Sequence, residues 1–236
     1  MAANPASAQE TDIRSIGPWH TTVEVTDHGH MIGDPASETV LTEFISYTCA
    51  HCAKFAVEGE PRLEIALIAS GKMRLEVRSF IRNALDLTVS MLVACGEPRK
   101  FKGNHAAFLR SQDRWLEAAR NAPQAQQAIW GRGDRSARLS MASALGLSDK
   151  MTRQRGYSVI EINRCLSDDA FAAQLMNNTN DARAEFAIAD KPSFALDGEI
   201  LPNVHEWRTL YPVLITHFQS LEGADREPEL GESQFD

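Results

Sequence analysis

Cys49 and Cys52 are separated by Ala50 and His51, and they follow the apolar, β-branched and aromatic stretch Val40–Tyr47. The composition of that stretch is typical of a strand buried on both faces of a sheet. Residues three apart share one face of a helix, so a helix that begins near Cys49 brings both thiols together. This pairing is suited to the exchange of a disulfide with another thiol.

The predicted position of Cys49 favours its thiolate, which is the reactive form in disulfide exchange. Thr48 places a hydroxyl at the helix N-terminus, where unpaired N–H groups and the helix dipole stabilise negative charge. His51 can add a positive charge or a hydrogen bond to the same sulfur. In such surroundings a cysteine pKa falls from about 8.5 to roughly 3.5–7.5.

A Cys-x-x-Cys pair also binds metals, either as half of a structural zinc site or in a non-catalytic Cu(I)-binding or chaperone module. A zinc site needs two more ligands, and the other cysteines, Cys95 and Cys165, stand alone in apolar, helix-like surroundings. They are either buried free thiols or a structural disulfide, and an oxidising compartment favours the disulfide. We therefore expect redox chemistry at Cys49 and Cys52, with no resident metal or cofactor.

Length and charge exclude several other classes of function. The chain has 236 residues, of which 43% are hydrophobic, which is enough for one large domain or two small ones. The net charge of −8 and the absence of a basic patch argue against a nucleic-acid partner. No apolar run approaches the roughly 20 residues that span a membrane. A signal peptide is apparently absent, although the first residues are small, like those left after its cleavage.

The hydrophobic pattern gives strand, strand, helix, strand and helix, then a block of helices, then strand, strand and helix. This order predicts an α/β thioredoxin fold with an inserted all-helical subdomain. The predicted segments are an N-terminal arm at 1–20, thioredoxin-domain parts at 21–97 and 188–222, a helical insertion at 98–187, and an acidic disordered tail at 223–236.

Two local features complete this prediction. One helix should run from Cys49 to Ser70 with a kink at Gly59 and Pro61, because proline removes a helical hydrogen bond. His28 and His30 fall near Gly29 in a predicted turn, where we expect them to be solvated rather than to bind a metal.

The segment Glu43–Cys52, with Lys191–Phe194 at a suitable distance, resembles the DsbA-like thiol:disulfide oxidoreductases, in the variant common in α-proteobacterial periplasms. The resemblance extends from about Trp19 to Phe218. It implies that Cys49 is the exposed nucleophile, Cys52 its buried partner, Glu43 the acid beneath the dithiol and Pro192 a cis-proline facing it. From the residues alone, Glu43 could equally be a salt-bridged strand residue.

The same resemblance implies a function. Such a protein donates its disulfide to reduced, exported substrate proteins in the periplasm, and a membrane quinone-linked thiol oxidase reoxidises it. We expect a monomer. A disulfide isomerase or reductase of the same fold is the nearest alternative, although such isomerases usually dimerise through an added domain that residues 1–20 are too short to form.

Two departures from the family pattern leave the direction of electron flow open. Ala50 stands where the family usually has proline, and Lys191 precedes Pro192 where Thr or Val is usual. If the ammonium of Lys191 reaches Cys49, it favours the thiolate and makes the protein a stronger oxidant. Otherwise Lys191 is a solvated residue.

Overall fold

The computed structural model describes residues 19–224, so the predicted arm and acidic tail lie almost entirely outside the described residues. Within this range one mixed sheet has the strand order β1-β2-β4-β3-β5-β6. Strands β3 and β4 are parallel, and all other neighbours are antiparallel. The strands are β1 (Val23–Val25), β2 (His30–Ile32), β3 (Val40–Ile45), β4 (Arg74–Ser79), β5 (Ser193–Leu196) and β6 (Glu199–Ile200).

Strand β3 lies in the interior of the sheet and delivers the chain to the two cysteines. Every residue from Leu41 to Ile45 is buried, which explains why this strand lacks an alternating polar pattern. Leu41, Glu43 and Ile45 point to one face, because side chains alternate along a strand. Glu43 is paired with Val77 on β4 and with Phe194 on β5, so a carboxyl lies at the centre of an apolar layer.

The chain after β3 forms helix α1 (Ala50–Glu58), the single turn α2 (Glu60–Leu63) and a π-helical turn at Glu64–Ile68. The predicted interruption is present at Gly59. A side chain could not fit there, since a Cβ atom on Gly59 would lie 2.3 Å from the Phe55 ring. The break therefore comes from close packing as well as from Pro61.

Helix α3 (Ala84–Val93) follows β4, and helices then fill the chain until β5. Phe108, Trp115 and Met141 from this block belong to the same apolar cluster as Leu41 and Ile45 of the sheet. The inserted helices thus share a core with the thioredoxin part. They are α4 (Phe101–Arg110), α5 (Gln112–Arg120), α6 (Gln124–Trp130), α7 (Arg135–Ala144), α8 (Leu147–Arg155), α9 (Val159–Leu166) and α10 (Asp169–Phe186).

The final helix, α11 (Trp207–Ala224), follows β6 and carries Pro212 inside it. None of the helices within residues 19–224 is both long enough and apolar enough to cross a membrane. A disulfide joins Cys95, just after α3, to Cys165 on α9, with 5.7 Å between the Cα atoms. This bond fixes the inserted block to the helix that follows β4.

His30 differs from the prediction, whereas the exposed His28 agrees with it. His30 begins β2, pairs with Val77 and is buried, with its ring stacked on Phe101 at 3.8 Å between centroids. Burial, followed by the nearby His105, lowers the His30 pKa to about 4. The solvated-turn prediction for His30 is wrong because antiparallel pairing with β4 draws the residue into the core.

Candidate active site

The two cysteines occupy different environments at the start of α1. Cys49 is the N-cap residue and is half-buried, whereas Cys52 is fully buried in the first turn. Both are free thiols. The Cys49 thiol donates to the carbonyl of Lys191 at 3.3 Å, and the Cys52 sulfur accepts the Ser46 N–H at 3.5 Å. Cys49 is therefore the sulfur that an incoming thiol can reach.

The capping arrangement differs from the one the sequence indicates. Cys49 takes the N-cap position, and its side chain makes no capping hydrogen bond. The hydroxyl of Thr48, one residue earlier, instead contacts the Ser46 hydroxyl at 3.0 Å and accepts a hydrogen bond from Asn83 at 3.4 Å. The Cys49 sulfur is thus left free to receive the N–H groups of the first turn.

These surroundings separate the acidities of the two thiols. The pKa of Cys49 falls to about 5, chiefly because the Cys52 thiol donates a hydrogen bond to its sulfur. Burial acts in the opposite direction. The N–H groups of Cys52 and His51 and the charge of Arg82 lower the pKa further. Burial raises the pKa of Cys52, and the neighbouring Cys49 raises it further. Cys49 is consequently a thiolate at neutral pH, while Cys52 remains protonated.

His51 acts differently from the sequence-based expectation. Its imidazole is exposed, and its backbone N–H is the group that stabilises the Cys49 thiolate. The cation that lowers the pKa of Cys49 is Arg82, which stands just before α3 and which the sequence did not single out. The Cys52 thiol, the N–H groups at the helix start and the charge of Arg82 together lower the pKa of Cys49.

Glu43 lies close enough to Cys52 for its charge to act on that sulfur, and no described residue compensates for its polarity. The side chain is completely buried, and neither carboxyl oxygen has a hydrogen-bonding partner among the described residues. Burial, followed by the charge of Glu60, raises its pKa well above the usual value. The charge of Glu43 in turn contributes to the raised pKa of Cys52. Glu43 is therefore a buried acid with a raised pKa, and in its ionised form it acts on the buried sulfur.

Asp86, on the first turn of α3, holds the turn that precedes Cys49. Its carboxylate accepts hydrogen bonds from the Ser46 hydroxyl at 2.6 Å, the Tyr47 N–H at 2.8 Å and the Arg82 N–H at 3.0 Å. Burial raises its pKa to about 6, and these three donors and the Arg82 charge limit the rise. No sequence pattern indicates this role, because an acidic residue in the first turn of a helix is common.

The inserted helices contribute two further residues. Gln112, at the start of α5, donates hydrogen bonds to the carbonyls of Tyr47 and Cys49 at 2.8 and 2.9 Å. His105 of α4 contacts the Tyr47 hydroxyl at 2.8 Å through Nδ1 and Glu60 at 2.8 Å through Nε2. The insertion thereby becomes part of the site.

The loop before β5 faces Cys49. The Lys191–Pro192 peptide bond is cis, and the Pro192 carbonyl accepts a hydrogen bond from Nδ1 of His205 at 2.8 Å. Lys191 meets Cys49 through its backbone carbonyl. Its ammonium lies 4.1 Å from the Phe80 ring centroid and donates to the Ala189 carbonyl at 2.9 Å. The ammonium of Lys191 thus contacts Phe80 and Ala189, while the charge of Cys49 still acts on it.

Within residues 19–224, no group of three or more His, Cys, Asp or Glu side chains converges to hold a metal ion. The structure instead places two buried carboxyls, those of Glu43 and Asp86, close to the cysteine-bearing turn.

A sequence model of the thioredoxin family matches residues 25–214. The chain belongs to the thioredoxin family. A protein-disulfide isomerase from Novosphingobium aromaticivorans has a crystal structure that is 35% identical, with a TM-score of 0.77 over 82% of this chain and 98% of that one. The alpha-DsbA1 structure from Wolbachia pipientis, 19% identical with a TM-score of 0.65, covers 82% of this chain and 92% of its own. The predicted fold and family resemblance are confirmed.

Relatives from Rickettsia carry the name protein-disulfide oxidoreductase. The Rickettsia conorii protein is 27% identical over 197 residues, and the Rickettsia felis protein is 27% identical over 192 residues. These matches cover 83% and 81% of this chain, but only 62% and 61% of the two relatives. The chain therefore spans about three-fifths of the length of these proteins.

Proposed function

We propose that the protein is a thiol:disulfide oxidoreductase that donates its Cys49–Cys52 disulfide to reduced substrate proteins. The observation that carries this proposal is the opposite shift of the two thiol pKa values, down to about 5 for Cys49 and upward for Cys52. A low-pKa, accessible thiolate beside a buried, protonated thiol is suited to disulfide exchange. The thioredoxin family, and relatives named for this chemistry, support the same assignment.

The exchange begins when a substrate thiolate attacks the Cys49 sulfur of the oxidised protein. A bond forms between the substrate sulfur and Cys49, the Cys49–Cys52 bond breaks, and Cys52 leaves with the electron pair. Glu43 supplies the proton that this sulfur takes up. A second substrate thiolate then attacks the mixed disulfide, so Cys49 leaves as a thiolate and the substrate leaves with its new disulfide.

The low pKa of Cys49 supports oxidation of substrates as the direction of the reaction. A stabilised thiolate favours the reduced protein, and a protein whose reduced form is favoured gives up its disulfide readily. Lys191 and Pro192 lie opposite Cys49, where an extended substrate can pair with the backbone. We assign them to substrate binding, the Lys191 contribution coming from its carbonyl.

We further propose that the protein works in the periplasm on exported proteins and is reoxidised by a membrane quinone-linked thiol oxidase. The Cys95–Cys165 disulfide supports an oxidising compartment, because structural disulfides persist there. Its role is to hold α9 against α3 rather than to exchange with substrates.

A disulfide isomerase is the second candidate, because the Novosphingobium aromaticivorans structure, 35% identical to this chain, carries that name. The two functions differ in which redox form acts. An isomerase attacks wrong disulfides with a reduced Cys49, whereas an oxidase needs the oxidised pair. The reduction potential and the recovery of activity in scrambled ribonuclease, measured on the same preparation, separate them.

Trapping of a mixed disulfide tests the proposal directly. With a reduced cysteine-bearing peptide, oxidised wild-type protein is expected to form peptide disulfide, and Cys49→Ser to form none. Cys52→Ser, supplied as an activated mixed disulfide or with oxidised peptide, is expected to retain the peptide on Cys49, because the resolving thiol is missing. A Cys95→Ser/Cys165→Ser variant is the matched control and should still exchange. Capture of peptide by Cys49→Ser but not by Cys52→Ser would contradict the assigned roles.

A further inference from the structure

A small cavity of about 80 Å³ lies between α1, α2, α4 and the sheet. Its inner wall includes Ala56, one helical turn after Cys52, and Val77, the neighbour of Glu43 on β4. Its rim includes the exposed Arg110. The cavity lining thus includes a helix neighbour of the buried thiol and a strand neighbour of the buried acid, but neither Cys52 nor Glu43 itself, and the cavity has room for a few water molecules.

Two hydrogen-bonded groups line this cavity. Glu60 is 18% exposed and His105 is 4% exposed, and the distance between Glu60 Oε1 and His105 Nε2 is 2.8 Å. His105 Nδ1 contacts the Tyr47 hydroxyl, which closes the inner end of the chain of hydrogen bonds. Glu60 is also close enough to Glu43 that its charge acts on that carboxyl. A group that can bind a proton therefore stands between Glu43 and the solvent.

We propose that Glu60 and His105 form the proton route between Glu43 and the solvent, by way of this cavity. The inference rests on the proposed function, since it supplies the proton that exchange at Cys52 consumes. The route shares no residue with the groups that contact the Cys49 sulfur. Protons can then enter while a bound substrate covers Cys49.

Such a route is needed because Glu43 must be protonated again after each transfer. After giving its proton to the Cys52 sulfur, Glu43 is a buried carboxylate with no hydrogen-bonding partner in the described part of the chain. An isolated buried charge is costly, so the carboxylate must regain a proton. One proton passes from solvent to the hydrogen-bonded pair of Glu60 and His105, from that pair to Glu43 by way of cavity water, and from Glu43 to Cys52. No electron moves on this route, and reoxidation of the dithiol reverses it.

The other charged groups around the route are accounted for. Lys102 is paired with Glu64 at 3.0 Å on the cavity wall. His30, packed near His105, has a pKa lowered to about 4 by burial and His105, so it is neutral in the working range. Asp86 contacts the backbone of Tyr47 on the other side of the turn. Glu60 and His105 therefore remain as the groups that can exchange protons with Glu43 from the cavity.

The test compares Glu60→Gln with Glu64→Gln. Both glutamates line the same cavity, but Glu60 contacts His105 whereas Glu64 pairs with Lys102. Oxidised protein is mixed rapidly with a small dithiol, and proton uptake is followed with a pH indicator beside ultraviolet thiolate absorbance. Glu60→Gln is expected to slow the proton-coupled phase by about tenfold, because one relay group is lost. The titration of the Cys49 thiolate should be unchanged, and added imidazole, small enough to deliver protons, should restore much of the rate.

Three results would overturn the relay. Equal rates in the two variants would show that Glu60 carries no proton. A slow Glu60→Gln that imidazole does not rescue, and that unfolds at a lower temperature, would make Glu60 a structural residue. His105→Gln with the wild-type rate, pH profile and solvent isotope effect would remove His105 from the route. If the wild-type protein itself exchanges with no thiol, the proposed function fails, and the relay fails with it.

Discussion

Two buried carboxyl groups flank the cysteine pair, and the protein treats them in opposite ways. Glu43 and Asp86 are both completely buried. Asp86 accepts hydrogen bonds from two backbone N–H groups and one hydroxyl, whereas Glu43 accepts none within residues 19–224. Burial raises the pKa of Asp86 only to about 6 and that of Glu43 well above its usual range. Hydrogen-bond donors limit the rise of the Asp86 pKa, and their absence leaves the pKa of Glu43 raised well above its usual value.

The difference separates positioning from proton transfer. Asp86 uses its negative charge to fix Ser46, Tyr47 and Arg82, which shape the surroundings of Cys49. Glu43 fixes nothing and holds a transferable proton near Cys52. Under the proposed function, the buried carboxyl with satisfied lone pairs supports the turn, and the one without partners transfers a proton. This contrast would be wrong if substitutions of Asp86 and Glu43 had the same effects on stability and rate.

The largest effect is expected from Asp86→Ala. Removing this carboxylate leaves the Tyr47 N–H and the Ser46 hydroxyl without their acceptor, and a buried unpaired donor costs about 1–3 kcal/mol. We expect the free energy of unfolding at neutral pH to fall by about 3 kcal/mol, measured by denaturant titration of the reduced protein. Glu43→Leu is the matched comparison and should change it by less than about 1 kcal/mol, since no hydrogen bond is lost. Equal losses in the two variants would contradict the division of roles.

Glu43→Gln should show the converse behaviour, with a large kinetic effect and a small effect on stability. Without a transferable proton beside Cys52, the proton-coupled step is expected to slow by about tenfold to a hundredfold. Stopped-flow reduction of the oxidised protein between about pH 5 and pH 8 measures this. Rates that match the wild type across that range would reduce Glu43 to a structural residue.

The pH dependence of stability should distinguish the contribution of Asp86 from that of Glu43. A raised pKa in the folded state means that stability is greatest at low pH and is lost as the pH rises, because the unfolded state ionises first. For Asp86 the loss falls between its ordinary value of 3.8 and about 6. For Glu43 it extends to higher pH. Glu43→Gln is expected to remove the decline in stability above pH 6 and to leave the decline below pH 6 that belongs to Asp86. A Glu43→Gln profile that follows the wild type above that pH would argue that Glu43 does not titrate there.

The smallest effect concerns the two cations near Cys49. Arg82→Gln is expected to raise the Cys49 pKa by less than about one unit, since Arg82 is exposed and ranks below the hydrogen bonds as a cause. Lys191→Thr should raise it less, because the ammonium lies on the Phe80 ring. Ultraviolet thiolate absorbance against pH measures both. A larger shift for Lys191→Thr would restore the role that the sequence alone assigned to its side chain.

The features that could be predicted from the sequence are those that a local pattern of residues determines. The buried strand, the helix start at Cys49 and the break at Gly59 each depend on neighbouring residues. Glu43 and Pro192 were named through the family resemblance, and the structure buries Glu43 completely and gives the Lys191–Pro192 bond its cis form. The fold class followed from the order of these elements.

The missed residues act across long stretches of chain or through the backbone. Asp86, His105 and Gln112 contact the turn around Tyr47 from 39, 58 and 65 residues away, and no local pattern distinguishes such an acid, histidine or amide. His51 and Lys191 contact the Cys49 sulfur through their backbone groups, which the sequence does not indicate. A sequence indicates side-chain chemistry, whereas the direction of a peptide group depends on the folded turn.

The paired hydrogen bonds from Gln112 have a consequence for engineering. Because one amide from the first residue of α5 supports two carbonyls of the cysteine-bearing turn, the block of helices cannot be exchanged between relatives as a neutral module. A chimaera that receives a foreign block without this glutamine would keep Cys49 and Cys52 but lose the support beneath them. Grafting experiments in this architecture therefore need to transfer residue 112 together with the cysteine-bearing turn.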